Sequence, residues 1–96
     1  MYYQQGDVLI FKEETLPKDL KKLKTNVVHK GDNHVHLIDG KFELLSGKDS
    51  FYIHAKEKCK LTHAEHNTIS LPKGFYRKGI VQEYDHFLQE SKNVID

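Results

Sequence analysis

Apolar residues in this 96-residue chain come in runs of four or fewer, and turn-forming residues separate the runs. A globular helix needs an apolar period of 3.6 sustained over roughly 10–12 residues, whereas a strand needs only about 4–8. The spacing therefore predicts a mostly β fold. Val8-Leu9-Ile10-Phe11, entered through Gly6-Asp7, reads as a buried strand. Further strands are expected at residues 50–54, 68–71, 75–78 and 80–84, with Pro72-Lys73-Gly74 turning the chain between two of them. Within 80–84, strand periodicity places Gln82 and Tyr84 on one face and Val81 and Glu83 on the other. Many short strands favour a small single-domain β-barrel or sandwich over an alternating α/β fold.

The sharpest local signal is Asp39-Gly40, flanked by His34-Val35-His36-Leu37-Ile38 and Lys41-Phe42-Glu43-Leu44-Leu45. Asp-Gly between alternating segments predicts a two-residue hairpin. In that register Leu37 opposes Phe42 and Val35 opposes Leu44 on the core face, while His36 opposes Glu43 on the other. One or two short helical turns complete the expected fold. Pro17 opens one, running to Lys24 with Leu16, Leu20 and Leu23 on one side. Thr62 and Glu65 have capping-box spacing and suggest the other. No linker divides the chain, so residues 1–96 read as one domain, with 86–96 as a polar tail or short terminal helix.

Composition narrows the function classes. No apolar run approaches the roughly 20 residues that span a bilayer, so no membrane role is expected. Met1-Tyr2-Tyr3-Gln4-Gln5 lacks the pattern of a secretory leader, and a cytoplasmic protein is expected. Net charge is +1, and Arg77 is the one arginine, which argues against a dedicated reader of duplex DNA. Lys18, Lys21, Lys22 and Lys24 read as a solvated face. Cys59, the single cysteine, admits no intrachain disulfide; Lys58 and Lys60 beside it would favour a thiolate, although a lone cysteine is usually an inert small hydrophobe.

Histidine is the unusual component. Of seven, four fall in two tight groups, His34-Val35-His36 and His63-Ala64-Glu65-His66. Residues i and i+2 of a strand share a face, so His34 and His36 point the same way. A helical turn would bring His63 and His66 together. His34, His36, His63 and His66 are thus candidate ligands of a divalent metal, with zinc, iron, nickel and manganese all compatible. The spacing is not that of a zincin helix. The bland alternative is a solvated face whose histidines do nothing together; His29, His54 and His86 read individually as surface or packing residues.

The ordered pieces Gln5-Gly6-Asp7-Val8-Leu9, His34-x-His36, His63-x-Glu65-His66, Leu71-Pro72-x-Gly74-x-Tyr76 and Gln82-Glu83-Tyr84 resemble a family of small uncharacterised proteins of bacteria and their phages. That resemblance implies no activity. The chain also resembles cupins, small β-barrels that hold a metal through an HxH strand and a nearby carboxylate. By that resemblance His34 and His36 match the HxH, Glu43 matches the carboxylate, and Pro72-x-Gly74 matches a turn of the second motif. Arg77 falls near the position of the second-motif histidine, so His63 or His66 would substitute for it.

Three functions remain open on these grounds. In the first, His34, His36 and His63 or His66 hold a divalent metal in a cupin-like barrel that hydrolyses a small or phosphorylated substrate. Glu65 or Glu43 then acts as base or orients a ligand, and His66 is counted among the catalytic groups. In the second, a metal-independent phosphodiesterase uses two histidines as acid and base on a nucleotide or RNA. Tyr76, Arg77, Gln82 and Tyr84 would hold the substrate, helped by Lys78. In the third, the chain is a non-enzymatic accessory or interaction protein of phage type. Self-association into a homo-oligomer is compatible with all three.

Overall fold

The computed structural model describes residues 2–31, 34–48 and 50–80. Ten strands form among them: β1 (Tyr2–Gln5), β2 (Val8–Glu13), β3 (Lys21–Leu23), β4 (Val27–Lys30), β5 (Val35–Asp39), β6 (Phe42–Ser46), β7 (Phe51–Ala55), β8 (Cys59–Thr62), β9 (Ile69–Leu71) and β10 (Gly74–Ile80). They make two open antiparallel sheets, one ordered β1-β2-β10-β7-β6-β3 and the other β4-β5-β8-β9. The fold is mostly β, as expected. Among the described residues no closed barrel forms, and no helix is long and apolar enough to cross a membrane.

The chain visits the sheets by turns, and one buried core draws side chains from both. Val8 and Ile10 of β2, Leu44 of β6, Ile53 of β7 and Tyr76 of β10 meet Val28 of β4, Ile38 of β5, Leu61 of β8 and Leu71 of β9 in a single buried cluster. Strand alternation explains the pattern in β2, where Val8 and Ile10 are fully buried and Leu9 and Phe11 are not. Burial of each such aliphatic side chain stabilises the fold by about 1.5–3 kcal/mol.

The Asp39-Gly40 segment does turn the chain, but it does not close a hairpin. β5 pairs with β4 and β8, whereas β6 pairs with β3 and β7 in the other sheet. Gly40 has φ 121° and passes so close to β8 that a Cβ there would lie 3.1 Å from Cys59 Sγ and 3.3 Å from its Cα. The corner is then tied to the next one, because Lys56 N and Cys59 Sγ both donate to Lys41 O. Side-chain facing changes accordingly. His36 and Ile38 form the buried face of β5, while Val35 and Leu37, expected in the core, stay half-exposed.

Neither expected helical turn is present. Lys21–Leu23 is instead edge strand β3, which pairs with β6 on one side and whose lysines blunt the open edge. At residues 63–66 the chain bends without helix, because His63 Nδ1 itself accepts the Glu65 amide hydrogen at 3.0 Å. That bond removes the donor a Thr62 cap would have used. Residues 75–80 form one continuous strand rather than parts of two. The remainder of the expected 80–84 strand, with Gln82 and Tyr84, and the expected tail at 86–96 lie outside the described residues.

The Gly40 corner generates a stability test. Gly40→Ala should cost more than about 1 kcal/mol, since it meets both a positive φ and a blocked Cβ position. Gly31→Ala, whose Cβ would meet only His34 O, at 3.4 Å, among the described residues, should shift stability by less than about 0.5 kcal/mol. Urea midpoints at unchanged m-value measure both; equal costs would refute the corner account.

Candidate functional site

Three stretches of chain meet at one edge of the contact between the sheets. The first is the β1–β2 turn, Gln5-Gly6-Asp7. The second is the β4–β5 hairpin, which carries His29, His34 and His36. The third is the β8–β9 connection with His63, Glu65 and His66. Together Asp7, these five histidines, Gly31 and Glu65 line a cleft of about 260 Å³.

Sheet geometry accounts for half of this convergence. His36 is registered opposite His29 across the β4–β5 ladder, while His34 precedes β5 and also lines the cleft. The other half is tertiary. Antiparallel pairing of β5 with β8, with Leu37 opposite Thr62, delivers the β8–β9 connection beside the HxH strand. Ring centroids of His36 and His63 are 4.3 Å apart, His63 and His66 4.5 Å, His34 and His63 5.4 Å, and His29 and His36 5.9 Å. His34 Nε2 also lies 3.1 Å from Glu65 Oε2 at the exposed rim.

His36 is the most enclosed of the group, at 5% exposure. Its Nδ1 is 2.8 Å from Gln5 Oε1. Burial, then the neighbouring His63, His29 and His66, push its pKa down to about 4, against a smaller opposing effect of Asp7. His29 is lowered as well, by burial and then by Lys78. His63 is lowered by lost hydration, then by His66 and His34. These three rings are therefore neutral at neutral pH, the form in which imidazole offers a lone pair to a proton or a metal. No Lys or Arg is among the described lining residues. As the side chains stand, no group of three or more His, Cys, Asp or Glu among the described residues is spaced to hold one metal ion.

A second hollow, about 460 Å³, adjoins the cleft and shares His34 and His63 with it. Val35, Leu37, Thr62 and Ala64 complete its lining. The outward face of β5, displaced from the core by the corner at Gly40, thus becomes an apolar shelf beside the imidazoles.

Several expected site residues lie elsewhere. Glu43 is registered opposite His54, not His36. It accepts from Lys22 Nζ at 2.9 Å and Lys56 Nζ at 3.0 Å, with His54 Nδ1 at 3.6 Å, so the carboxylate role drawn from the hairpin register and the cupin resemblance loses its basis. Tyr76 is fully buried and donates its hydroxyl to Pro72 O at 2.6 Å. Arg77 is paired with Glu13 and stacked over Phe11. Lys78 donates to Val28 O at 3.1 Å. Cys59 is buried, and burial raises its thiol pKa, against the thiolate that Lys58 and Lys60 would favour by charge alone. Conversely, Asp7 and His29 line the cleft and Gln5 is bonded to its His36, although none of the three was expected as a site residue. The signal available for Gln5 and Asp7 was their place around Gly6, at the tip of a strand pair.

The Glu43 cluster supports a pH prediction. Hydrogen bonds from Lys22 and Lys56 hold the Glu43 carboxyl at about 2, below its ordinary 4.5. A depressed carboxyl pKa stabilises the fold above the ordinary value, and that contribution is lost as pH falls from 4.5 toward 2. Carboxyl ¹³C titration should show the depressed midpoint, and Lys22→Ala with Lys56→Ala should move it upward. An undepressed midpoint in the parent would refute the network.

All cleft residues fall inside one family match. The chain matches a domain of unknown function, DUF8820, over residues 4–81. No curated protein and no solved structure matches it. The chain belongs to the DUF8820 family of domains of unknown function.

Proposed function

We propose that the histidine cleft binds a divalent cation of the zinc, iron, nickel or manganese group, and that the protein acts as a hydrolase on a small substrate. One observation carries this reading: five imidazoles and two carboxylates converge on one cleft with no lysine or arginine among its described lining residues. Such a lining attracts a cation and gives a free phosphate little to hold it. His36 and His34 are the first ligands, joined by His63 or His66, and Glu65 orients His34. The cation, when bound, supplies Lewis acidity toward a carbonyl or phosphoryl oxygen. The shelf of Val35, Leu37 and Ala64 suits an apolar part of the substrate.

Closing the side chains on an ion requires movement. If His63 joins, it gives up its bond to the Glu65 amide, a loss of about 0.5–1.5 kcal/mol. That cost is small beside the apparent binding free energy of structural zinc in zinc-finger peptides, about 10–16 kcal/mol.

A second reading, a metal-independent acid–base hydrolase or phosphodiesterase, is favoured by one specific feature. His36 and His63 are neighbours whose Nδ1 atoms are held in opposite senses, one facing the acceptor Gln5 Oε1 and the other the donor Glu65 N. As neutral rings they therefore present a lone pair and an N–H side by side, the pairing general acid–base catalysis uses.

Metal analysis separates the two. Protein purified without a histidine tag and titrated with zinc, iron, nickel or manganese should bind one equivalent. The His34→Ala/His36→Ala variant should bind at least about 100-fold more weakly. Failure of the parent to take up any of the four at stoichiometry overturns the first reading. Hydrolysis of nucleotide or RNA substrates that persists in chelator and falls in His36→Ala would then establish the second.

A further inference from the structure

We infer that the β1–β2 turn, Gln5-Gly6-Asp7, is a built part of the site, and that Gln5 is the positioning residue that decides which nitrogen of His36 faces the cleft. This rests on the cleft being the functional site, but not on which chemistry it performs.

The Gln5 side chain is 2% exposed and fully engaged. Its Nε2 donates to Leu61 O at 2.9 Å and to Asn67 O at 2.8 Å, and its Oε1 faces His36 Nδ1 at 2.8 Å. An amide can in principle be turned over, exchanging oxygen and nitrogen. Here the exchange would set the amide oxygen against two carbonyl oxygens, with no hydrogen between them. The orientation is therefore determined by β8 and the β8–β9 connection. An acceptor oxygen opposite Nδ1 requires that Nδ1 carry the hydrogen. The neutral His36 ring then keeps its lone pair on Nε2. Metal-ligating histidines are commonly oriented in this way, by a partner that accepts from the other ring nitrogen.

The rest of the turn is fitted to the same cluster. Gly6 has φ 60°, and a Cβ there would fall 2.7 Å from His66 Nε2. Glycine thus serves twice, allowing the left-handed turn and leaving room for the His66 ring. Asp7, next in the chain, brings one of the two carboxylates that line the cleft. A turn that only joined two strands would need neither the buried amide nor the clearance for an imidazole.

Long-range ¹H–¹⁵N correlation spectra of the metal-free protein at neutral pH read the tautomer directly. His36 should show a single form, protonated at Nδ1 and bare at Nε2. In Gln5→Met, with folding checked by amide dispersion, that form should give way to an Nε2-protonated or mixed population. Zinc affinity should then fall about 10–100-fold. A parent His36 protonated at Nε2 or tautomerically mixed overturns the inference without any variant. A folded Gln5→Met with the parent's spectrum overturns it too. A locked His36 in a parent that binds no metal sinks only the metal reading, since the tautomer is measured before metal is added.

Discussion

The site depends on one buried amide. Gln5 belongs to β1, in the larger sheet, yet its hydrogen bonds go to Leu61 O of β8 in the smaller sheet, to Asn67 O and to His36. Burying a polar group without partners costs about 1–3 kcal/mol, and an amide of this kind has several to satisfy. With all three partners present, the group does the reverse. It ties the end of one sheet to the loop of the other, and it does so at the point where the histidines collect.

Around that tie, the fold works by sharp corners rather than by hairpin after hairpin. The chain passes between sheets at the Gly40 corner and again between β7 and β8, and these two corners touch through Lys41 O, Lys56 N and Cys59 Sγ. One consequence is that β5 presents His36 and Ile38 inward. In the expected hairpin His36 would have lain on the face away from the core, without the burial that lowers its pKa. The corner therefore affects the chemistry of the cleft, although it contributes no residue to it.

The charged groups divide between two regions with different roles. On the larger sheet Glu43 with Lys22 and Lys56, and Glu13 with Arg77, form pairs near the surface. Such pairs are worth little individually, about 0–1 kcal/mol when exposed. The cleft instead collects weakly basic rings and carboxylates without a lining lysine or arginine among the described residues. The adjoining hollow adds the half-exposed Val35 and Leu37 to its border.

Local sequence determined a good deal of this. Short apolar runs required strands, the HxH spacing kept His34 and His36 close enough to line one cleft, and Asp39-Gly40 required a change of direction. What it left open was every pairing between distant residues. A turn residue specifies a bend, but the sheet that receives the next strand is chosen by packing, as Gly40 against Cys59 shows. The same limit moved Glu43 to Lys22 and Lys56, sent Tyr76 into the core, and drew His29 into the cleft through its pairing with His36. Gln5 is the clearest case. In sequence it is the second of two adjacent glutamines, set apart from Gln4 only by its place beside Gly6. Only the docking of β1 against the β8–β9 connection buries it, because hydrogen-bond satisfaction depends on partners 31 to 62 residues away.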